Sequence, residues 1–404
     1  MSPGPAAPPS LEALRGTPNA LAADYARFDV ANRLLLTGHS HQAWPDVARE
    51  AQLAAWDDAA RHADEKWERA FERARRVREG FARRLGCAPD EVALGASTHE
   101  LLLRFLSALP LGERPRLVTT TGEFHTIRRQ LDRLAEARLA EVVKLEAGPA
   151  DTLAARLSAA VDDRVSAVLV SSVLFESARL VPGLDGLARA CARVGVELLV
   201  DAYHHVNVVP LDLARDGLAG AFVTGGGYKY CQLGEGNAFL RVPRGCERFP
   251  VVTGWYSEFA ALAGRPCGAV PFGEGPARWA GATYDPVSHY RAARVFEHLD
   301  ARGLAPGFLR AVSLHQVGRL AARFDMLDLD PARVSRDRSA PPEAFGGFLA
   351  LRAPDAGGLA RRLRERGVWT DFRGEVLRLG PAPYLSDAQL DAAVAALADA
   401  VRAD

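Results

Sequence analysis

The alternation of apolar and polar positions divides most of this chain into helices and strands that follow one another in turn. Apolar residues recur at three- and four-residue spacing over 46–61 and 65–85, which predicts two amphipathic helices. A short strand is predicted at 91–94. Ser97-Thr98-His99-Glu100 then opens an apolar helix over 101–109. A strand at 116–121 delivers Gly122-Glu-Phe124-His125, followed by a helix over 126–137, a strand near Val142 and a helix over 151–161. Positions 166–173 are rich in β-branched residues and read as a strand buried on both faces. Next come a helix over 184–194 and strands at 196–200 and 219–224, and a strand at 237–242 in the reverse sense. Strands alternating with helices predict an α/β domain with a mostly parallel sheet. After about residue 285 the pattern changes. Helices at 289–301 and 308–324 precede a small α+β unit with strands at 347–351, 368–372 and 376–379, a helix at 358–366 and a last amphipathic helix at 387–401. There is no internal repeat.

Composition narrows the class. The 404 residues are 48% hydrophobic, enough for a large core and two or three structural units. Fifty basic side chains face fifty acidic ones, a balance that argues against a nucleic-acid or membrane-surface protein. The arginine-rich run 69–84 is interleaved with Glu72, Glu79 and apolar residues and reads as a solvated helix face. No apolar run approaches the ~20 residues needed to cross a bilayer. The start, Met-Ser-Pro-Gly-Pro, has neither a basic nor an apolar leader region and is expected to be a disordered tail over 1–20. Five cysteines without metal-like spacing suit a reducing cytoplasm, and Cys231 is expected to be a packing residue.

Chemistry concentrates between 196 and 236. One apolar run ends in Asp201-Ala-Tyr-His204, and a second leads into Gly225-Gly-Gly-Tyr228-Lys229-Tyr230. Each group alone has a plain reading, Asp201 as a turn residue and Lys229 as a loop residue. Together they put an acid and a lysine at strand ends, where open α/β sheets bind ligands, beside glycines that allow close backbone approach. Pyridoxal phosphate (PLP) chemistry needs such a layout, with a lysine to condense with the cofactor aldehyde and a carboxylate to keep the pyridine nitrogen protonated. Ser97 and Thr98 could be simple helix caps, or they could mark a helix N-terminus that binds an anion.

Asp201-x-x-His204, Gly-Tyr228-Lys229-Tyr230 and Gly234-x-Gly236 resemble the kynureninase branch of the fold-type I PLP enzymes, in the class V aminotransferase superfamily. The resemblance implies a large PLP-binding domain over 46–285, a small α+β domain over 286–404, and a segment 21–45 that contributes to the small domain and the active site. It implies a mostly parallel seven-stranded-type sheet flanked by helices. Lys229 would carry the cofactor, Asp201 would pair with its ring nitrogen, and Phe124 would stack on the ring. His204 would lie near cofactor or substrate. Ser97, Thr98, Tyr228, Trp255 (in Gly254-Trp255-Tyr256) and Thr283 would hold the phosphate, some of them across a homodimer interface. Tyr228 is the candidate for acid–base help. Arg378, in Leu377-Arg378-Leu379-Gly380-Pro-Ala-Pro383, would bind the substrate carboxylate, while Arg373 would brace the small domain. The implied reaction is hydrolytic Cβ–Cγ cleavage of an L-α-amino acid with release of alanine. Another PLP-dependent lyase (C–S or β/γ-elimination), a cyclase, an aminotransferase or a non-catalytic PLP-binding protein are the alternatives. The lack of cysteine after Arg333 counts against a desulfurase.

Departures from the family cluster where substrate would be read. The family's Gly-Asn-Ser-Leu-Gly is Gly38-His39-Ser40-His41-Gln42 here, its Ser/Thr-Gly-Gln is Ser177-Ala178-Arg179, and its diproline is Tyr284-Asp285. Gly-Pro-Gly has become Gly234-Glu235-Gly236. Ser40, His39, His41 and Tyr284 are therefore expected to face an altered substrate. The histidine pairs lack a supporting carboxylate or cysteine cluster, so no metal is expected.

Overall fold

The computed structural model describes residues 8–262 and 268–403. Among them the central sheet has seven strands, in the order Val92–Gly95, Ala238–Arg241, Phe222–Gly226, Glu197–Asp201, Val165–Ser171, Arg116–Thr120, Glu141–Leu145. All neighbours run parallel except Ala238–Arg241, which is antiparallel to both of its own. The side chains explain why the strands read as unbroken apolar runs. Val168 and Val170 join the core on one face with Leu198 and Val200, while Ala167 and Leu169 join the core on the other with Leu199 and Phe222. A strand side chain alternates between faces, so a sheet covered by helices on both needs apolar residues at every position. Leu101, Leu102 and Phe105 of the helix Thr98–Ser107 cover one face, and Val77 and Phe81 of the helix Lys66–Leu85 cover the other.

The smaller part is built on a four-stranded antiparallel sheet, Asp371–Arg373, Val376–Leu379, Leu349–Arg352, Ser335–Arg336, with the helices Ala356–Glu365 and Asp387–Arg402. The expected strand 368–372 is two strands. Val368–Trp369 pairs in parallel with Leu34–Leu35, and after Thr370 the chain joins the other sheet. The helix Val287–Ala301, expected with the C-terminal unit, packs on Val47–His62 and Lys66–Leu85 of the large part. Residues 1–7 of the expected tail lie outside the described residues. The remainder differs from the expectation: Leu11–Arg15 is a helix capped by Ser10, and Leu14 is buried because its side chain enters the main core. No helix among the described residues is long and apolar enough to cross a membrane.

Candidate active site

Four strand ends converge on the site. Thr120, Ser171, Asp201 and Gly226 are the last residues of adjacent parallel strands, so their side chains and following loops share one edge of the sheet. Beyond Gly226 the chain turns so tightly that two glycines are required. A Cβ at Gly226 would lie 2.3 Å from the Tyr203 hydroxyl, and one at Gly227 would lie 2.3 Å from Leu233. The turn is closed by Leu233 N–H donating to the Gly227 carbonyl and Gly227 N–H donating to the Asn237 carbonyl. It carries Lys229 back over the strand ends, into a cavity of about 260 Å³ lined by Ser97, Thr98, Phe124, Asp201, His204 and Tyr228 with their neighbours.

Lys229 is 5% exposed, and its Nζ lies 2.9 Å from His204 Nε2. Three aromatic rings surround the amine, with centroids at 4.5 Å (Tyr203), 5.2 Å (Phe124) and 5.7 Å (Tyr228). Burial pushes the ammonium down to about 7, against the pull of Asp201, which favours the charged form. His204 is held well below its ordinary range by burial and by the Lys229 charge, so it is neutral and shares a hydrogen bond with the amine. Asp201 is fixed by the Tyr203 N–H, which donates to its Oδ1 at 2.8 Å; burial raises its pKa and Lys229 opposes the rise. Ser97 caps the helix Thr98–Ser107 at one wall of the cavity, accepting from Glu100 N–H at 3.3 Å.

Lys229, Asp201, His204, Tyr228, Phe124, Ser97 and Thr98 are thus brought together in one cavity. The expected substrate groups fare differently. Arg378 is 2% exposed, and its fork is taken by Asp371, with Nε at 2.9 Å and Nη2 at 2.6 Å, while Nη1 donates to the Phe175 carbonyl at 2.8 Å. The cause is register, because Asp371 and Arg378 are directly opposed in the antiparallel pair. His39 is fully buried rather than turned to a substrate. Its Nε2 lies 2.7 Å from Asp371, its ring rests on Phe348, and burial pushes its pKa down to about 4. The 37–41 turn is pressed against residues 380–381, where a Cβ at Gly38 would lie 2.2 Å from the Pro381 carbonyl oxygen. Ser40 spends its hydroxyl inside that turn, donating to the Thr37 carbonyl at 3.1 Å. Only His41 of this segment faces outward, stacked on Tyr228 at 5.0 Å with Nε2 3.7 Å from Glu235. Trp255, Thr283 and Tyr284 do not reach the Lys229 cavity of their own chain. Trp255 is 43% exposed beside Tyr256, and Thr283 and Tyr284 line a separate cavity. Arg373 donates to the Phe372 carbonyl at 2.7 Å.

Sequence reasoning missed Glu123. It is 1% exposed, accepts from the Thr120 hydroxyl at 2.7 Å and the Ser171 hydroxyl at 2.6 Å, and is pushed up to about 7 by burial, with Asp201 adding to the rise. It ties the loop that carries Phe124 to the next strand end. An acid directly before the stacking candidate was the available signal. Phe175, which packs edge-on against Phe124 at 5.4 Å, and Tyr203 were also passed over.

Residues 309–397 match the kynureninase C-terminal domain family. Solved structures similar to this chain include proteins of another kind. A lysine-to-alanine mutant of C-DES with glycine covalently linked to its PLP cofactor aligns with TM-score 0.82 at 18% identity, over 93% of this chain and 98% of that one. The complex of the cystine C–S lyase C-DES with its product cysteine persulfide aligns with TM-score 0.78 at 18% identity, covering 92% and 98%. The apo cysteine desulfurase from Thermococcus onnurineus NA1 gives 0.78 at 15% identity, covering 96% and 99%. These likenesses establish the shared α/β fold, with its mostly parallel seven-stranded sheet. No curated protein sequence matches the chain.

Proposed function

We propose that the protein is a PLP-dependent enzyme acting on an L-α-amino acid, by kynureninase-like hydrolytic Cβ–Cγ cleavage that releases alanine. The observation that carries this reading is the pairing of Lys229 and Asp201, both buried, in one cavity at the strand ends. The residues fit the cofactor. His204 Nδ1 and Asn237 Oδ1 are buried polar atoms without protein partners at this cavity, and a cation beside Asp201 would return that carboxyl to its ionised form. Bound here, PLP would supply an electron sink for bonds at the substrate Cα.

The chain's own residues divide the remaining work. Lys229, half neutral near pH 7, can attack an aldehyde and afterwards hold or release a proton at Nζ. His204 orients that amine. Phe124 offers a ring face, held by Phe175 and by the Glu123 tether. Ser97, Thr98 and the free N–H groups of their helix form the anion site, with Tyr228 beside it. Trp255 and Thr283 would serve the partner's phosphate site in a homodimer, and the exposed Val251, Val252, Trp255 and Phe259 support such an interface. Arg378 can take a substrate carboxylate only by sharing its fork with Asp371. A reducing, cytoplasmic setting suits the unpaired Cys87, Cys191, Cys231 and Cys246.

A second reading, C–S bond cleavage, is favoured by the likeness to the cystine C–S lyase. A route through a protein persulfide is not, since no cysteine lines the Lys229 cavity among the described residues. An absorbance scan of the purified protein tests both. A visible band that shifts with L-kynurenine and yields anthranilate supports cleavage of the carbon–carbon bond. A band that shifts with L-cystine, with release of a persulfide, supports the second reading. No visible band after added PLP sinks the cofactor assignment.

A further inference from the structure

Beside the Lys229 cavity lies a larger one of about 670 Å³, and the two share Ala96, Glu235 and Gly236 as common wall. Part of its lining is aromatic. Phe71 meets Tyr256 edge-on at 6.1 Å, Tyr256 meets Tyr284 at 6.0 Å, and His289 lies 4.7 Å from Tyr284. Three arginines, Arg78, Arg104 and Arg291, complete it. Arg104 is 6% exposed. Its Nη2 lies 3.3 Å from Glu100, but its Nη1 has no protein partner. Gly281 permits this placement, since a Cβ there would lie 2.2 Å from Arg104 Nη2. His289, 5% exposed, leaves Nδ1 without a partner, and the Tyr284 hydroxyl is likewise buried and unpaired. Burial lowers the Arg78 pKa, and only the Tyr284 hydroxyl opposes that shift among the described residues.

Three acids line the chamber with the arginines, and each has a partner or a neighbour of its own. Glu100 serves Arg104 and the Ala96 N–H, Asp285 caps the helix Val287–Ala301 through the Val287 N–H, and Glu235 stands near His41 at the other cavity's mouth. Arg291 is bound to the carbonyls of Leu233 and Glu235. What the lining offers a ligand is therefore no net charge but the unmade Nη1 hydrogen bond of Arg104, the Arg78 guanidinium with no carboxylate partner among the described residues, and an aromatic wall. A buried guanidinium with an unmade hydrogen bond suits a carboxylate, and the rings suit a planar group.

We propose that this chamber binds the substrate's side chain, and that this side chain is an aromatic group bearing a carboxylate. Its assignment to the substrate rests on the reading of Lys229 as the centre of chemistry. The chamber adjoins the Lys229 cavity at Ala96, Glu235 and Gly236, and the proposal has the side chain of an amino acid held at that lysine pass this shared wall. The altered Tyr284-Asp285 pair becomes a specificity element, with Arg78 and Arg104 as the anion readers.

The test uses the full-length protein, its visible band recorded first. Benzoate and benzamide, equal in shape but not in charge, are titrated by calorimetry. Benzoate is expected to bind at least about tenfold more tightly, and Arg78→Gln and Arg104→Gln each to remove about tenfold of that affinity, as expected for loss of a charge-assisted bond. Arg104→Lys, which keeps the charge, guards against misfolding and should retain part of the binding. Holoprotein should then respond to 4-carboxy-L-phenylalanine at lower concentration than to L-phenylalanine, with the difference lost in Arg78→Gln. Equal binding of the two probes, no binding of benzoate, or unaltered affinity in folded arginine variants overturns the proposal. A protein that binds benzoate but shows no visible band with PLP would refute the PLP reading and leave the chamber as an aromatic-carboxylate site. A protein with the band but no benzoate binding would refute the chamber alone.

Discussion

The buried amine of Lys229 should be visible in a stability measurement, because folding moves its pKa from the ordinary lysine value, ~10.4, down to about 7. Burial is the larger cause and Asp201 the opposing one. Below about pH 7 both folded and unfolded chains hold the proton, and folding carries the full cost of burying the charge. Between that point and ~10.4 the unfolded chain binds more protons than the folded one, so stability rises with pH. Above ~10.4 neither state is protonated and the contribution is flat. Within the window each pH unit is worth ~1.4 kcal/mol. Raising the pH from about 7 to about 9 should therefore add on the order of 3 kcal/mol at this site. Lys229→Met keeps the apolar stem and removes the titration. His204 loses its partner in the variant, but His204 stays neutral across the window, so this loss is the same at both pH values. Urea unfolding of the PLP-free protein at the two pH values reads the difference. The wild-type midpoint should gain ~0.5–1 M over that of the Met variant on going to the higher pH. Groups common to both proteins cancel. Parallel shifts in wild type and variant would refute the argument that Lys229 is buried as an amine with a depressed pKa.

Asp371→Asn should destabilise by ~3 kcal/mol, the lower end for breaking a buried pair, since Arg378 would keep its charge without its carboxylate while the Asp371 side chain is 20% exposed; thermal unfolding of the variant checks it, and an unchanged midpoint contradicts the pairing. Cys231→Ala should retain turnover within about twofold, because burial pushes this thiol up to about 12 and leaves it an unreactive packing group; loss of activity in a folded variant would point to thiol chemistry. Gly226→Ala should weaken PLP binding by at least about tenfold, because the added Cβ meets the Tyr203 hydroxyl at 2.3 Å and disturbs a ring that lies 4.5 Å from Lys229 Nζ; circular dichroism separates this from unfolding, and intact binding would show that the Tyr203 ring gives way without cost to the site.

The parts of the site that were legible in the sequence are those whose chemistry and backbone position coincide. Asp201 and Lys229 each follow an apolar run long enough to mark a strand end, and few reactions need an acid and a lysine delivered there. The paired fates of Arg378 and His39 were less accessible. Asp371 opposes Arg378 because the strands Asp371–Arg373 and Val376–Leu379 are joined by two residues, with Gly374 at φ 51°. Gly374-Glu375 joins Asp371-Phe-Arg373 to the mostly apolar Val376–Leu379, a two-residue loop with glycine first that fits a hairpin, and counting outward from it pairs Arg373 with Val376 and Asp371 with Arg378. Reading 368–372 as one strand hid that arithmetic, because the break at Thr370 depends on Leu34–Leu35 taking the first half into another sheet. For His39 no local signal exists. His39 and His41 sit two residues apart in the same turn, yet one is fully buried against Asp371 and the other lies at the cavity mouth on Tyr228. What separates them is the contact of Gly38 with Pro381 and of Gly380 with His39, where an added Cβ would lie 2.2 Å from the imidazole. That choice is made by chain more than three hundred residues away, and it turns a residue with the look of a substrate contact into a support for the arginine. The substrate-reading residues of this chain are therefore sought where polar atoms remain buried and unpaired, at Arg104, Tyr284 and His289; of the departures from the family it resembles, the Tyr284-Asp285 pair lies there and the His39 turn does not.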